Sequence, residues 1–98
     1  MGKLIYGARK IDVPDRPLAH LQAVMVDKLR RGETFSLTLS ADGAQKTMIF
    51  GPSVQVMFEY ASNRTPRLNR NWLKRLSEVG YAGDGLQLVA EPDDPDES

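Results

Sequence analysis

Ninety-eight residues carrying thirteen basic and thirteen acidic side chains, with no cysteine, suit one small domain of zero formal net charge. The lack of cysteine excludes disulfides, thiolate metal sites and cysteine nucleophiles, and a lone histidine, His20, offers no histidine-based metal site. No apolar run approaches the ~20 residues that span a bilayer, and residues 1–7 are too short for a secretory leader, so a soluble, cytoplasmic protein is expected. Gly2 invites myristoylation, but Tyr6 stands where that motif needs Ser or Thr.

Leu4, Ile5 and Tyr6 predict a first strand, with Gly7-Ala8 as a turn. Residues 9–13 alternate in polarity and place Ile11 and Val13 on one face, as in a half-buried strand. Asp15-Arg16-Pro17 predicts a helix start, since aspartate can cap free amides and proline is tolerated in a first turn. Leu18, Leu21, Val24, Met25 and Leu29 recur at helical spacing, giving a helix over 16–31 with His20, Asp27 and Arg31 on another side. Gly32 suits a left-handed C-cap.

Residues 33–41 alternate again, with Phe35, Leu37 and Leu39 inward. Asp42-Gly43 signals a hairpin, because its turn needs positive φ, and residues 46–50 return. Gly51-Pro52-Ser53 breaks that strand before residues 54–60 alternate once more. Three consecutive strands predict an antiparallel meander lying on the first helix. Asn69 is a good N-cap for a second helix over 70–79, whose apolar stripe is Trp72, Leu73, Leu76 and Val79. Gly80 is expected to stop it, residues 81–85 to form a loop, and residues 86–89 a last short strand. The order is ββαβββαβ: a single α+β domain over 1–90, a small antiparallel sheet packed by two helices.

Charge is divided along the chain. All thirteen cations precede residue 76, whereas five acids fall within residues 91–98, leaving residues 1–90 with a net +5. The end, with nothing apolar to bury, predicts a disordered acidic tail. It is an inert solubilising end, a segment that competes for the chain's own basic groups, or one that recruits a basic partner.

Arg64, Arg67, Arg70, Lys74 and Arg75 gather on the loop before the second helix and on its first turns. Such a cluster can follow a phosphate backbone, the helix N-terminus adding amides and positive dipole; the plainer reading is a solvated basic face. Lys28, Arg30 and Arg31 close the first helix, where cations favour the dipole, and form a secondary basic patch if that end lies near the first cluster. Trp72 shares its stripe with leucines and is expected in the core rather than as a base-stacking platform. His20 reads as a surface or boundary residue. It stands two helical turns from Asp27, too far for an acid–base pair, and no nucleophile completes a catalytic set.

The stretches Met1-Gly2-Lys3-Leu4-Ile5-Tyr6-Gly7, Leu18-Ala19-His20-Leu21, Lys28-Leu29-Arg30-Arg31-Gly32-Glu33 and Asn63-Arg64-Thr65-Pro66, with Asn69-Arg70-Asn71-Trp72 and Glu91-Pro92, resemble a family of short bacterial proteins of unknown function, DUF7882-like. Its members are often labelled "ATP-dependent DNA ligase", and the resemblance supplies no catalytic residues. Such ligases use the lysine of a Lys-x-Asp-Gly motif, but Ser40 and Ala82 stand two positions before the aspartates of the two Asp-Gly pairs. No phosphate-binding glycine loop is present either. The expectation is therefore a non-catalytic binding module, with no cofactor and no metal, whose partner is DNA or an anionic protein. The alternative is a protein-interaction or homo-oligomerising domain, such as a homodimer.

Overall fold

Asp42 and Gly43 both adopt positive φ, 53° and 76°, the left-handed pair that a two-residue hairpin needs. They join strands β3 (Phe35–Ala41) and β4 (Ala44–Phe50), whose register sets Phe35 opposite Phe50 and Leu37 opposite Met48. In this computed structural model, residues 1–81 and 85–96 are described. Before the hairpin come β1 (Gly2–Tyr6), β2 (Arg9–Val13) and helix α1 (Asp15–Arg30). After it come β5 (Val56–Glu59), helix α2 (Arg70–Tyr81) and β6 (Leu86–Gln87), which is the α+β order expected.

The meander expected from β3, β4 and β5 does not form. β5 leaves β4 and pairs antiparallel with β1, Leu4 opposite Phe58 and Ile5 opposite Met57. The free side of β3 is taken instead by β6, running parallel, with Leu37 opposite Leu86. Two three-stranded sheets result, ordered β2-β1-β5 and β4-β3-β6. The connection over 51–55, which contains Pro52, imposes no tight hairpin, so local geometry does not hold β5 against β4. An alternating apolar strand is equally satisfied by any partner that buries the same face, and β1 supplies it.

α1 buries Leu18, Leu21, Val24 and Met25, and α2 buries Trp72 and Leu76. Both meet the inner faces of the sheets at Leu4, Ile11, Leu37, Phe50 and Leu86. α1 ends as expected: Gly32 takes φ 73°, its N–H reaches Leu29 O at 3.0 Å, and the Glu33 N–H reaches Lys28 O at 3.1 Å, a left-handed C-terminal closure. Its start differs. Pro14 occupies the cap position without a side-chain cap, and Asp15 instead accepts the Ala61 N–H at 3.2 Å. α2 also continues through Gly80 to Tyr81, and the remainder of the loop expected over 81–85 lies mostly outside the described residues.

β1 lies hard against α1 at Gly2, where a Cβ would fall 2.7 Å from both Asp15 Oδ1 and Leu18 Cδ2 and 2.8 Å from the Glu59 carbonyl oxygen. The Glu59 backbone belongs to a paired strand and cannot swing aside. Gly2→Ala is therefore expected to lower the unfolding free energy by about 1–3 kcal/mol, read by urea titration.

Of the acidic tail expected over 91–98, the part to Asp96 is described, without helix or strand of its own. Among the described residues no helix is long and apolar enough to cross a membrane.

Candidate anion-binding edge

The polar side chains of α1 tie down the loop that follows β5. Tyr60 donates its hydroxyl to Gln22 Oε1 at 2.5 Å, Arg16 Nη1 donates to Arg67 O at 2.8 Å, and the Asn69 N–H donates to His20 Nε2 at 2.7 Å. His20 is thus no surface or boundary residue: it is fully buried. Its Nε2 faces an N–H and must accept, so the ring proton resides on Nδ1, 2.7 Å from the Arg16 carbonyl to which it donates. The ring is therefore neutral, and it lies 4.4 Å from the Trp72 ring centroid. Burial pushes its pKa below the ordinary 6.5, against the Arg16 carbonyl hydrogen bond, which favours the protonated ring, while the Arg16 charge opposes it. Only the loop's long-range return to α1 makes His20 interior, and helical periodicity carries no sign of that return.

Asn69, also fully buried, caps α2 as its sequence position predicts: Oδ1 accepts the Asn71 and Trp72 N–H groups at 3.0 and 3.2 Å. Its Nδ2 donates to Glu91 Oε2 at 3.0 Å and to Pro92 O at 2.9 Å. Glu91 in turn receives Arg16 through two nitrogens, Nε to Oε1 at 2.9 Å and Nη2 to Oε2 at 2.6 Å. Arg16, with Asn69, holds the Glu91 carboxyl down to about 2. Trp72 packs in the core as predicted, 3% exposed, and donates Nε1–H to Val89 O at 3.0 Å. The chain leaving β6 is thereby bound to the start of α2.

The predicted cations divide into two groups. Arg67, Arg70, Lys74 and Arg75 surround the chain after Glu91. Arg67 Nη2 lies 2.5 Å from Asp94 Oδ2, and Arg70 makes two parallel bonds of 2.9 Å to the Asp96 carboxylate. Lys74 and Arg75 line a shallow hollow with Asn71, Glu78 and Pro92, and among the described residues neither cation has an ion-pair partner. Arg64 faces elsewhere and shares a groove with Arg30. The secondary patch does not assemble as one surface. Lys28 is buried, 3.5 Å from Glu33 and 5.9 Å from the centre of the Phe35 ring, because its aliphatic stem lies in the core. Arg31 pairs with Asp27 at 2.9 Å and with Glu33 at 3.3 Å.

Residues 1–91 match the model of a family described as a domain of unknown function, DUF7882. The chain belongs to the DUF7882 family. The DUF7882 match ends at Glu91, so it contains the whole His20–Asn69–Glu91–Arg16 network, while Asp94 and Asp96 lie beyond it. No curated protein and no solved structure matches the chain.

Proposed function

We propose that this member of DUF7882 is a non-catalytic, cytoplasmic binding module that takes an anionic partner on the edge formed by Arg67, Arg70, Lys74 and Arg75. DNA is the first candidate. The observation that supports this reading is that the chain's own carboxylates occupy the same edge. Asp96 sits on Arg70 in the two-point geometry that guanidinium groups also offer to phosphate, and Asp94 sits against Arg67. Residues 1–90 carry a net +5 that the tail cancels. A tethered acidic segment competes at high effective concentration, so the tail lowers the affinity of the edge for an external anion.

Fluorescence anisotropy with labelled single- and double-stranded DNA tests this, comparing the full chain with one ending at Pro92. Cutting there keeps Glu91, which belongs to the fold, and removes the two competing aspartates. The shortened chain should bind about tenfold more tightly at low salt, and binding should weaken as salt rises. Arg70→Ala, by removing one phosphate contact, should flatten the log–log salt slope by roughly 0.7–0.9. Absence of binding by either chain at high micromolar concentration would remove the reading.

A second reading, self-association, draws on Ile49 and Met57, which are 53% and 59% exposed on strands at the edges of their sheets. Association of that kind survives high salt and is insensitive to the tail; sedimentation of both chains distinguishes it.

A further inference from the structure

A groove of about 530 Å³ lies between α1 and the loop that follows β5, on a different part of the surface from the tail. Its floor exists because α1 presents Ala19, Ala23 and Val26 at helical spacing, and two of these three side chains are methyl groups. The loop supplies Pro66 and Leu68 opposite, and Val26 and Leu68 are each 38% exposed, a large value for apolar side chains this close together. The loop does not depend on a ligand for its position. The Tyr60–Gln22 bond fixes its start, the Asn69–His20 bond fixes its end, and the Arg64 N–H donates to Ser62 Oγ at 3.1 Å within it.

Charge at the rim is unbalanced. Arg30 and Arg64 both border the groove, and among the described residues neither has an ion-pair partner. The one acid on the rim, Asp27, is already engaged by Arg31. Of the other six arginines, Arg16, Arg31, Arg67 and Arg70 each meet a carboxylate, whereas Arg9 and Arg75 do not among the described residues. An apolar floor with two unneutralised guanidinium groups at its border, largely preformed, has the composition of a small-molecule site.

We infer that the groove between α1 and the 60–68 loop binds a small amphiphilic anion. Its aliphatic or aromatic body lies on Ala23, Val26 and Leu68, and its carboxylate, phosphate or sulfonate head is held by Arg30 and Arg64. About 530 Å³ falls within the ~300–1,000 Å³ of small-molecule sites. No described residue of the tail lines the groove, so the chain's own acids are not its occupant.

The probe is 8-anilinonaphthalene-1-sulfonate, an aromatic body with one anionic head, titrated against the full chain by fluorescence. One site per chain is expected. Decanoate should displace the probe about tenfold more effectively than decanol, which has a similar chain and no charge. Arg30→Ala and Arg64→Ala should each weaken probe binding about three- to tenfold, and Ala23→Trp, which fills the floor, should abolish it. Leu68→Ala, a loop substitution that spares the helix, should weaken it also; circular dichroism and melting show that each variant is folded. Arg70→Ala should leave probe binding unchanged, which separates this site from the basic edge. Equal displacement by decanoate and decanol, undiminished binding by Ala23→Trp, or probe binding that requires a dimer would each overturn the inference.

Discussion

His20→Phe should lower the unfolding free energy by about 1–3 kcal/mol and flatten its dependence on pH. The aromatic packing against Trp72 is kept, but the buried Asn69 amide loses its acceptor and is left unsatisfied. In a domain of this size each kcal/mol is worth ~4–8 °C of melting temperature, so a fall of about 5–20 °C is expected. His20→Ala adds a cavity beneath Trp72 and should cost more, about 3–5 kcal/mol. The pH effect has a definite sign. The folded-state pKa lies below the ordinary 6.5, so below that pH the unfolded chain takes up a proton that the folded chain refuses. Stability is therefore complete above about pH 6.5 and declines as pH falls from there towards the folded pKa. The Arg16 carbonyl, Glu91 and Asp94 favour protonation of the ring and the Arg16 charge opposes it; burial dominates. Thermal melts between about pH 7.5 and about pH 5.5 should thus show a decline in the wild-type chain that His20→Phe lacks. Parallel profiles for the two chains would show that His20 is not the titrating group.

Asn69→Ala should cost about 3 kcal/mol, the second large effect, because one side chain serves two purposes. Its Oδ1 caps α2 at Asn71 and Trp72, and cap removal alone costs about 0.5–2 kcal/mol. Its Nδ2 holds Glu91 and Pro92, and the loss leaves the Pro92 carbonyl without that donor and Glu91 with Arg16 alone. Asn69→Asp separates the two parts. The carboxylate keeps the cap acceptors, but it loses both donors and places a second negative charge beside Glu91. Glu91 has a folded pKa of about 2 against 4.5, so its stabilisation is full above pH 4.5 and fades as pH falls towards 2. Crowding by a second carboxylate raises that folded pKa and should move the acid transition of Asn69→Asp to higher pH. Urea titrations over the acid range read both effects. An Asn69→Asp chain that loses as much stability at neutral pH as Asn69→Ala would mean that the cap contributes little.

Features set by near neighbours were legible in the residues alone. The stripe of Leu18, Leu21, Val24 and Met25 locates α1, Asp42-Gly43 locates the hairpin, Gly32 ends α1, and Asn69 caps α2 with Trp72 turned inward. Each depends on backbone preferences and periodicity within a few positions, and those are written locally. Gly80 misleads for the same reason: a weak helix former stops a helix only if nothing else holds the next turn, and α2 runs on to Tyr81.

Three further matters were decided by tertiary structure. β5 pairs with β1 and β6 with β3, because alternating strands specify which face is buried but not which neighbour they meet. His20 becomes a buried acceptor only once a loop 49 residues further along returns its Asn69 amide to α1. The basic cluster could be read as a cluster, but not its division. Arg64 goes to the groove with Arg30, while Arg67 and Arg70 go to the chain's own aspartates. Charge along a sequence counts the ions, and which of them meet depends on distances that only the folded chain sets.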